Sequence, residues 1–186
     1  MNVDALTESV LVSRAKAEPS AFADVYDHYF PRVYNYVRYH VRDAETADDI
    51  TVQVFERALI NISGYRPERA SFADWLFAIA RNAVRDHIRG QKRRRWLPLE
   101  TLYGRASDDP QPDEIVIRNE FHQRLRAAVA SLSDREQELI ALKFAGGLTN
   151  RSIARLCGLK ESNVAVVLYR AIGRLRSKLR TMEEDL

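Results

Sequence analysis

The sequence predicts an all-α fold: two small helical domains joined by a flexible acidic linker, the second carrying a helix-turn-helix. Three observations lead there. Turn residues are scarce, with seven glycines and six prolines among 186 residues, where an average chain spends about 12% on the two together. Apolar residues recur at three- and four-residue steps over long stretches, the period of one helix face. That period lapses in the middle of the chain, where prolines and acids take over.

A weak series opens the chain: Leu6, Val10, Leu11 and Arg14 suggest a helix that ends by Pro19. Three stronger ones follow. Phe22, Val25, Tyr26, Tyr29, Phe30, Val33, Tyr36 and Val37 make the first, and Pro31 inside it removes a backbone donor, predicting a kink rather than a break. Ala47, Ile50, Val54, Phe55, Ala58, Leu59 and Ile62 make the second, with Asp43 as its N-cap candidate. Phe72, Trp75, Leu76, Ile79, Ala80, Ala83, Val84 and Ile88 make the third, opened by Ser71 and Asp74 as a capping box. Three such stripes close one core. Between Trp96 and Asp113, Pro98, Gly104, Pro110 and Pro112 with Asp108 and Asp109 read as an extended linker. Helical period returns with Ile115, Ile117, Phe121, Leu125, Ala128, Val129 and Leu132. A second capping box, Ser133 with Glu136, precedes Leu139, Ile140 and Leu142, and Gly146-Gly147 stops that helix. The expected domains are therefore 1–93 and 114–186, with 94–113 between them. The chain ends at Glu183-Glu-Asp-Leu186, so no appended regulatory domain is expected.

The net charge of +3 is small, but its distribution is not even. Arg85, Arg89, Lys92, Arg93, Arg94 and Arg95 cluster with Asp86 as the one acid among them, and Arg170, Arg174, Arg176, Lys178 and Arg180 form a second cluster with none. Asp108 to Glu114 holds four acids and no base. Two basic patches around an acidic segment fit a polyanion binder with two contact modules, or equally two solvated helix faces. No run approaches the roughly 18 apolar residues of a membrane span, and Met1 to Leu11 lacks the layout of a secretion signal. The single Cys157 excludes an internal disulfide, and His28, His40, His87 and His122 are too scattered for a metal site. No spacing assembles a nucleophile–base pair or a phosphate-binding glycine loop, so no enzyme and no cofactor are expected. The simplest expectation is a cytoplasmic protein.

After Gly147, Thr149 can cap a short helix, Ala154 is small where a second helix must cross, and Gly158 can take the left-handed conformation of a tight turn. Ile153, Leu159, Val164, Val167 and Leu168 would form the shared core. This combination resembles a helix-turn-helix, whose second helix enters a DNA major groove. Cys157 falls where such motifs bury a small residue.

With those residues in hand, the chain from about Ala21 to Leu179 resembles a bacterial RNA polymerase sigma factor of the sigma-70 family, extracytoplasmic-function type. Ala47-Asp-Asp-Ile-Thr-Val-Gln-Val-Phe-Glu-Arg57 is similar to the segment that binds the polymerase core, and Phe72 to Arg89 is similar to the promoter −10 segment. Leu132-Ser-Asp-Arg-Glu-Gln-Glu-Leu-Ile140 and the helix-turn-helix resemble the −35-binding domain. The resemblance implies a factor that docks on polymerase core, reads both promoter elements, holds open the strands of the −10 element and is restrained by an anti-sigma protein. Melting requires extruded bases to be caught, at a few kcal/mol each, and aromatic stacking of about 1–3 kcal/mol per base can offset that.

Carried over residue by residue, the resemblance assigns polymerase binding to Asp48, Asp49, Gln53 and Phe55. It assigns the −10 element to Tyr65, Arg66, Arg81, Asn82, Arg85, Arg89, Lys92 and Arg93, with the Gly64-Tyr65-Arg66-Pro67 loop and Asn82 forming a pocket for a flipped base. The −35 element falls to Arg151, Lys160, Glu161, Ser162, Asn163, Tyr169, Arg170 and Arg174. Phe72, Trp75 and Phe55 have spacings that also suit core packing, and Ser162 and Asn163 also suit capping. Two departures stand out. Val52-Gln53 replaces the family's Gln-Glu pair, shifting docking towards apolar contact, and Ala165 and Val167 stand where relatives carry Lys and Arg. Apolar contact to thymine methyls is open to Ala165. An independent helix-turn-helix regulator and a sigma-like protein adaptor are the competing functions.

Overall fold

The computed structural model describes residues 3–41, 43–96, 124–125 and 127–184, side chains excepted at 3–7, 92, 94–96 and 182–184. Every regular element among them is helical. Helix α1 spans Val3–Ala17, α2 Phe22–His40, α3 Ala44–Asn61 and α4 Phe72–Trp96; after helical residues 127–130 come α5, Asp134–Ile140, α6, Asn150–Cys157, and α7, Glu161–Glu184. The part of the expected linker after Trp96 lies outside the described residues, and 94–96 belong to α4.

Local chemistry sets most of the ends. Asp43 accepts the Thr46 N–H at the start of α3, and Ser71 accepts the Asp74 N–H at the start of α4. The second half of the Ser71 box is not made: the Asp74 carboxylate turns instead to Arg155, 2.8 Å away in the second module. Ser133 and Glu136 do form a complete capping box on α5. The helix then widens into one π turn over Ala141–Ala145, and Gly147 ends it with φ of +64°. Helix α2 passes through Pro31, which is exposed.

Burial follows most of the predicted stripe positions in α2, α3 and α4, sealing Tyr29, Tyr36, Phe72 and Leu76 completely or nearly so, but Leu59 is 40% exposed and Phe77, outside the predicted stripe, is fully buried. Helix α1 differs. It turns Val12 and Ala15 inward and leaves Val10 57% exposed, so its contact face is offset from the one the weak series suggested.

The two modules do not stand apart. Val33, Tyr36 and Phe77 of the first belong to the same apolar cluster as Leu139, Leu142 and Ile153 of the second. Gly146 lies so close to this seam that a Cβ there would sit 2.7 Å from Phe77 Cε1. Only glycine fits. Arg32 stacks over the Tyr29 and Phe77 rings and donates from Nε to the Gly146 carbonyl at 3.0 Å.

Candidate nucleic-acid interface

The second module supplies a complete helix-turn-helix. Thr149 caps α6 by accepting the Ser152 N–H at 3.1 Å. Gly158 closes it at φ of +65°, in the left-handed region where a Cβ would be strained, while the Leu159 N–H reaches back to the Ala154 carbonyl at 2.8 Å. That turn sets α7 across α6. Val164, Leu168 and Ala171 are buried, Val167 and Leu159 half-buried, and Ile153 and Ala154 pack beneath them. The opposite side of α7 is open: Val166 is 47% and Tyr169 81% exposed, with Ser162, Asn163, Ala165 and Arg170 exposed beside them. Lys160 is exposed at the turn, and Glu161 pairs with Arg151 at 3.5 Å. Arg174 is ion-paired to Glu136, the capping-box residue of α5, which ties down one candidate phosphate contact.

In the first module the loop after α3 is held rigidly. Glu8 of α1 accepts the Tyr29 hydroxyl at 2.5 Å and the Phe72 N–H at 3.0 Å, and Lys16 donates to the Tyr65 carbonyl at 2.9 Å. The Tyr65 ring is buried against Phe72 and Trp75, with centroids 5.3 and 5.5 Å away, and its hydroxyl donates to the Ala70 carbonyl. Burial pushes that phenol up to about 12, helped by the nearby Glu8, Asp74 and Glu68 charges. Tyr65 is thus a structural ring rather than a free stacking surface, and Arg66 beside it is exposed while donating to the Ser63 carbonyl. Asn82 is exposed on α4, ten residues beyond Phe72. Phe72 and Trp75 pack together in this aromatic cluster.

The basic face of α4 begins inside the seam. Arg81 donates from Nε to Glu138 at 2.8 Å and from Nη1 to the Leu156 carbonyl at 2.7 Å. Glu138 is the hub, since Tyr36 donates to it at 3.1 Å and His40 Nε2 lies 3.2 Å away. Burial would raise the Glu138 carboxyl, but His40 and Arg81 together hold it below the ordinary range. Burial pushes the Tyr36 phenol up, reinforced by the Glu138 charge. Arg85, Arg89 and Arg93 continue the face exposed, while the Lys92 side chain lies outside the described residues. Arg81, Arg85, Arg89 and Arg135 line a cleft of about 730 Å³ between the modules. Cys157 borders it half-buried, its thiol pushed up by burial, so it is less enclosed than its motif position suggested.

On α3, Asp48, Asp49, Val52, Gln53 and Glu56 form one exposed face that runs on to Ile60, 77% exposed. Phe55 is on the other side, buried against Tyr26 and Phe22 with centroids 4.7 and 6.5 Å away, and so does not share that face. Among the described residues there is no group of three histidine, cysteine or acidic side chains placed to hold a metal ion. No described helix is long and apolar enough to cross a membrane.

Sequence reasoning missed Glu138, Arg32 and the pairing of Arg155 with Asp74. Their partners lie 57 to 114 residues away, a separation no local pattern encodes.

The family model for sigma-70 region 2 matches residues 25–94, and that for sigma-70 region 4 matches residues 122–175. The chain is 34% identical over 180 residues to the ECF RNA polymerase sigma factor BldN of Streptomyces coelicolor, covering 94% of this chain and 66% of that protein. It is 31% identical to the ECF RNA polymerase sigma factor RpoE of Cereibacter sphaeroides, covering 89% of this chain and 90% of the relative. Among solved structures, the sigma factor RpoE of Bartonella quintana, bound to the anti-sigma factor NepR, shares the fold with a TM-score of 0.64 at 20% identity, over 86% of this chain and 96% of that one.

Proposed function

Because the chain belongs to the ECF family of RNA polymerase sigma factors, we infer that it is a transcription initiation factor that binds the polymerase core and directs it to promoters. The observation that carries this for the geometry is the pairing of a glycine-turned helix-turn-helix with an open α7 face and a basic α4 in one chain. Module 1–93 takes the polymerase and the −10 element, and module 114–186 takes the −35 element. The exposed Asp48, Asp49 and Gln53 form the polymerase-docking face, with Val52 adding apolar contact. Arg66, Asn82, Arg85, Arg89 and Arg93 face the −10 strand. Arg151, Lys160, Ser162, Asn163, Tyr169 and Arg170 face the −35 duplex, where the α7 N-terminus also favours a phosphate. None of this requires a reacting group, so the protein acts by binding rather than catalysis. It works where polymerase works, in the cytoplasm, and by analogy with the NepR complex an anti-sigma protein is its regulator.

Run-off transcription with purified core polymerase over a randomised promoter pool tests this directly. Initiation from a defined subset of sequences is expected, and none anywhere would refute it. Asp49→Arg should abolish core binding in a pull-down while leaving thermal stability within about 0.5 kcal/mol. Full retention would remove α3 from the docking face. A stand-alone regulator would instead bind a specific duplex at nanomolar concentration without polymerase, which a gel shift reads.

A further inference from the structure

Near the start of α7, Ala165 and Val166 carry apolar side chains that the structure leaves exposed, whereas Val167 is half-buried against the helix-turn-helix core. At about 100° per residue, the packed stripe Val164, Leu168 and Ala171 has its opposite at Ser162, Val166, Tyr169 and Gly173, with Ala165 and Arg170 flanking. Val166 therefore sits near the middle of the outward face. It and Tyr169 are two of the few large apolar side chains that the described surface leaves open. Gly173 completes the patch with empty space around it: an added Cβ would meet nothing within 4 Å. Glycine inside a helix weakens it, and here no internal packing asks for its smallness, which suits close approach by an external surface.

The occupant follows from the charge around the patch. Arg170 lies one turn beyond Val166 and Lys160 sits at the turn before α7, both exposed, while Arg151 on α6 is paired with Glu161. An apolar strip framed by cations suits a groove walled by phosphates better than another protein's apolar surface. In a major groove, the C5-methyl of thymine is the apolar group that a base-pair edge offers, whereas guanine offers acceptors that ask for Arg or Lys. Ala165 and Val166 carry no donor or acceptor on their side chains.

We propose that Val166, assisted by Ala165, reads thymine methyl groups in the upstream promoter element, so that this chain selects A·T pairs at positions where an arginine would select guanine. Tyr169 extends the same surface along the groove, and Arg170 holds the adjoining backbone. The assignment rests on the −35 role of this module.

The test uses holoenzyme reconstituted from the full chain and core polymerase. Promoters selected from a randomised pool are resynthesised with deoxyuridine in place of thymidine at each upstream position in turn, which removes the methyl and nothing else. For the wild-type chain, at least one replacement should lower run-off transcription about threefold to fourfold, the effect of losing one buried methyl contact. Val166→Ala, an exposed site where folding is not at stake, should lower transcription from the thymidine template similarly and respond little to deoxyuridine. Equal transcription from thymidine and deoxyuridine templates at every upstream position would overturn the proposal. Absence of initiation from the whole pool would instead overturn the sigma-factor assignment beneath it.

Discussion

Helices α4 and α7 are both long, both basic and both proposed to meet nucleic acid, yet they present themselves in different ways. The outward face of α7 is open along its first three turns because its packed stripe uses only Val164, Leu168, Ala171 and their half-buried neighbours. The basic face of α4 starts at Arg81, which is closed into the seam by Glu138 and the Leu156 carbonyl. Arg81 can reach a phosphate only by leaving both partners, whereas Arg85, Arg89 and Arg93 need no such exchange. Arginines along two basic helices are therefore not equal as ligands. What separates them is whether the opposing module brings a carboxylate.

The sharpest way to break this comparison is to remove the hub. Glu138→Ala leaves Arg81, Tyr36 and His40 facing one another without their acceptor, and deleting one partner of a largely buried charged pair costs about 3 kcal/mol or more. The expected outcome is separation of the modules, read as a larger radius of gyration in small-angle scattering with helicity retained by circular dichroism. An unchanged radius would show that the apolar contacts alone hold the seam. Gly146→Ala attacks the same seam through packing. Its Cβ would press on Phe77 and on the Leu142 carbonyl, and overpacking of this kind costs about 1–3 kcal/mol, measurable as a lower urea midpoint.

On the other side, Arg174→Ala removes an ion pair that is 58% exposed at the arginine. A loss below about 1 kcal/mol is expected, with no change in scattering. A loss as large as that of Glu138→Ala would erase the distinction between the two helices.

The smallest effect is that of pH. The Glu138 carboxyl lies below its ordinary value in the folded state because His40 and Arg81 favour its charged form over the burial that opposes it. A depressed carboxylate adds stability above its unfolded pKa, and that stability is lost as pH falls through the folded one. The seam should thus loosen on acidification below the ordinary glutamate range and not on mild alkalinisation. A distance probe across α4 and α5 would follow it, and in Glu138→Gln the acid-dependent part should vanish.

Much of the fold was legible because its causes are local. The stripes of α2, α3 and α4, the caps at Asp43, Ser133 and Thr149, and the left-handed turn at Gly158 each depend on residues within about one or two helical turns. The functional faces were less legible. Asp48, Asp49 and Gln53 do share an exposed surface, but Phe55 two residues on is turned inward by the helical period, and Tyr65 is sealed by an aromatic cluster that includes a ring from the next helix. The Asp74 capping role was half read: its backbone N–H does what the motif predicts, while its carboxylate serves Arg155, 81 residues away.

The amino-acid order by itself determined the helices, their caps and turns, and the two basic helices, since hydrophobic period, capping hydrogen bonds and charge clustering act over a few residues. Tertiary structure alone decided which of those charges remain available. An arginine is free or captured according to what a distant segment places within hydrogen-bond reach, and Glu138 beside Arg81 depends on how two whole modules pack.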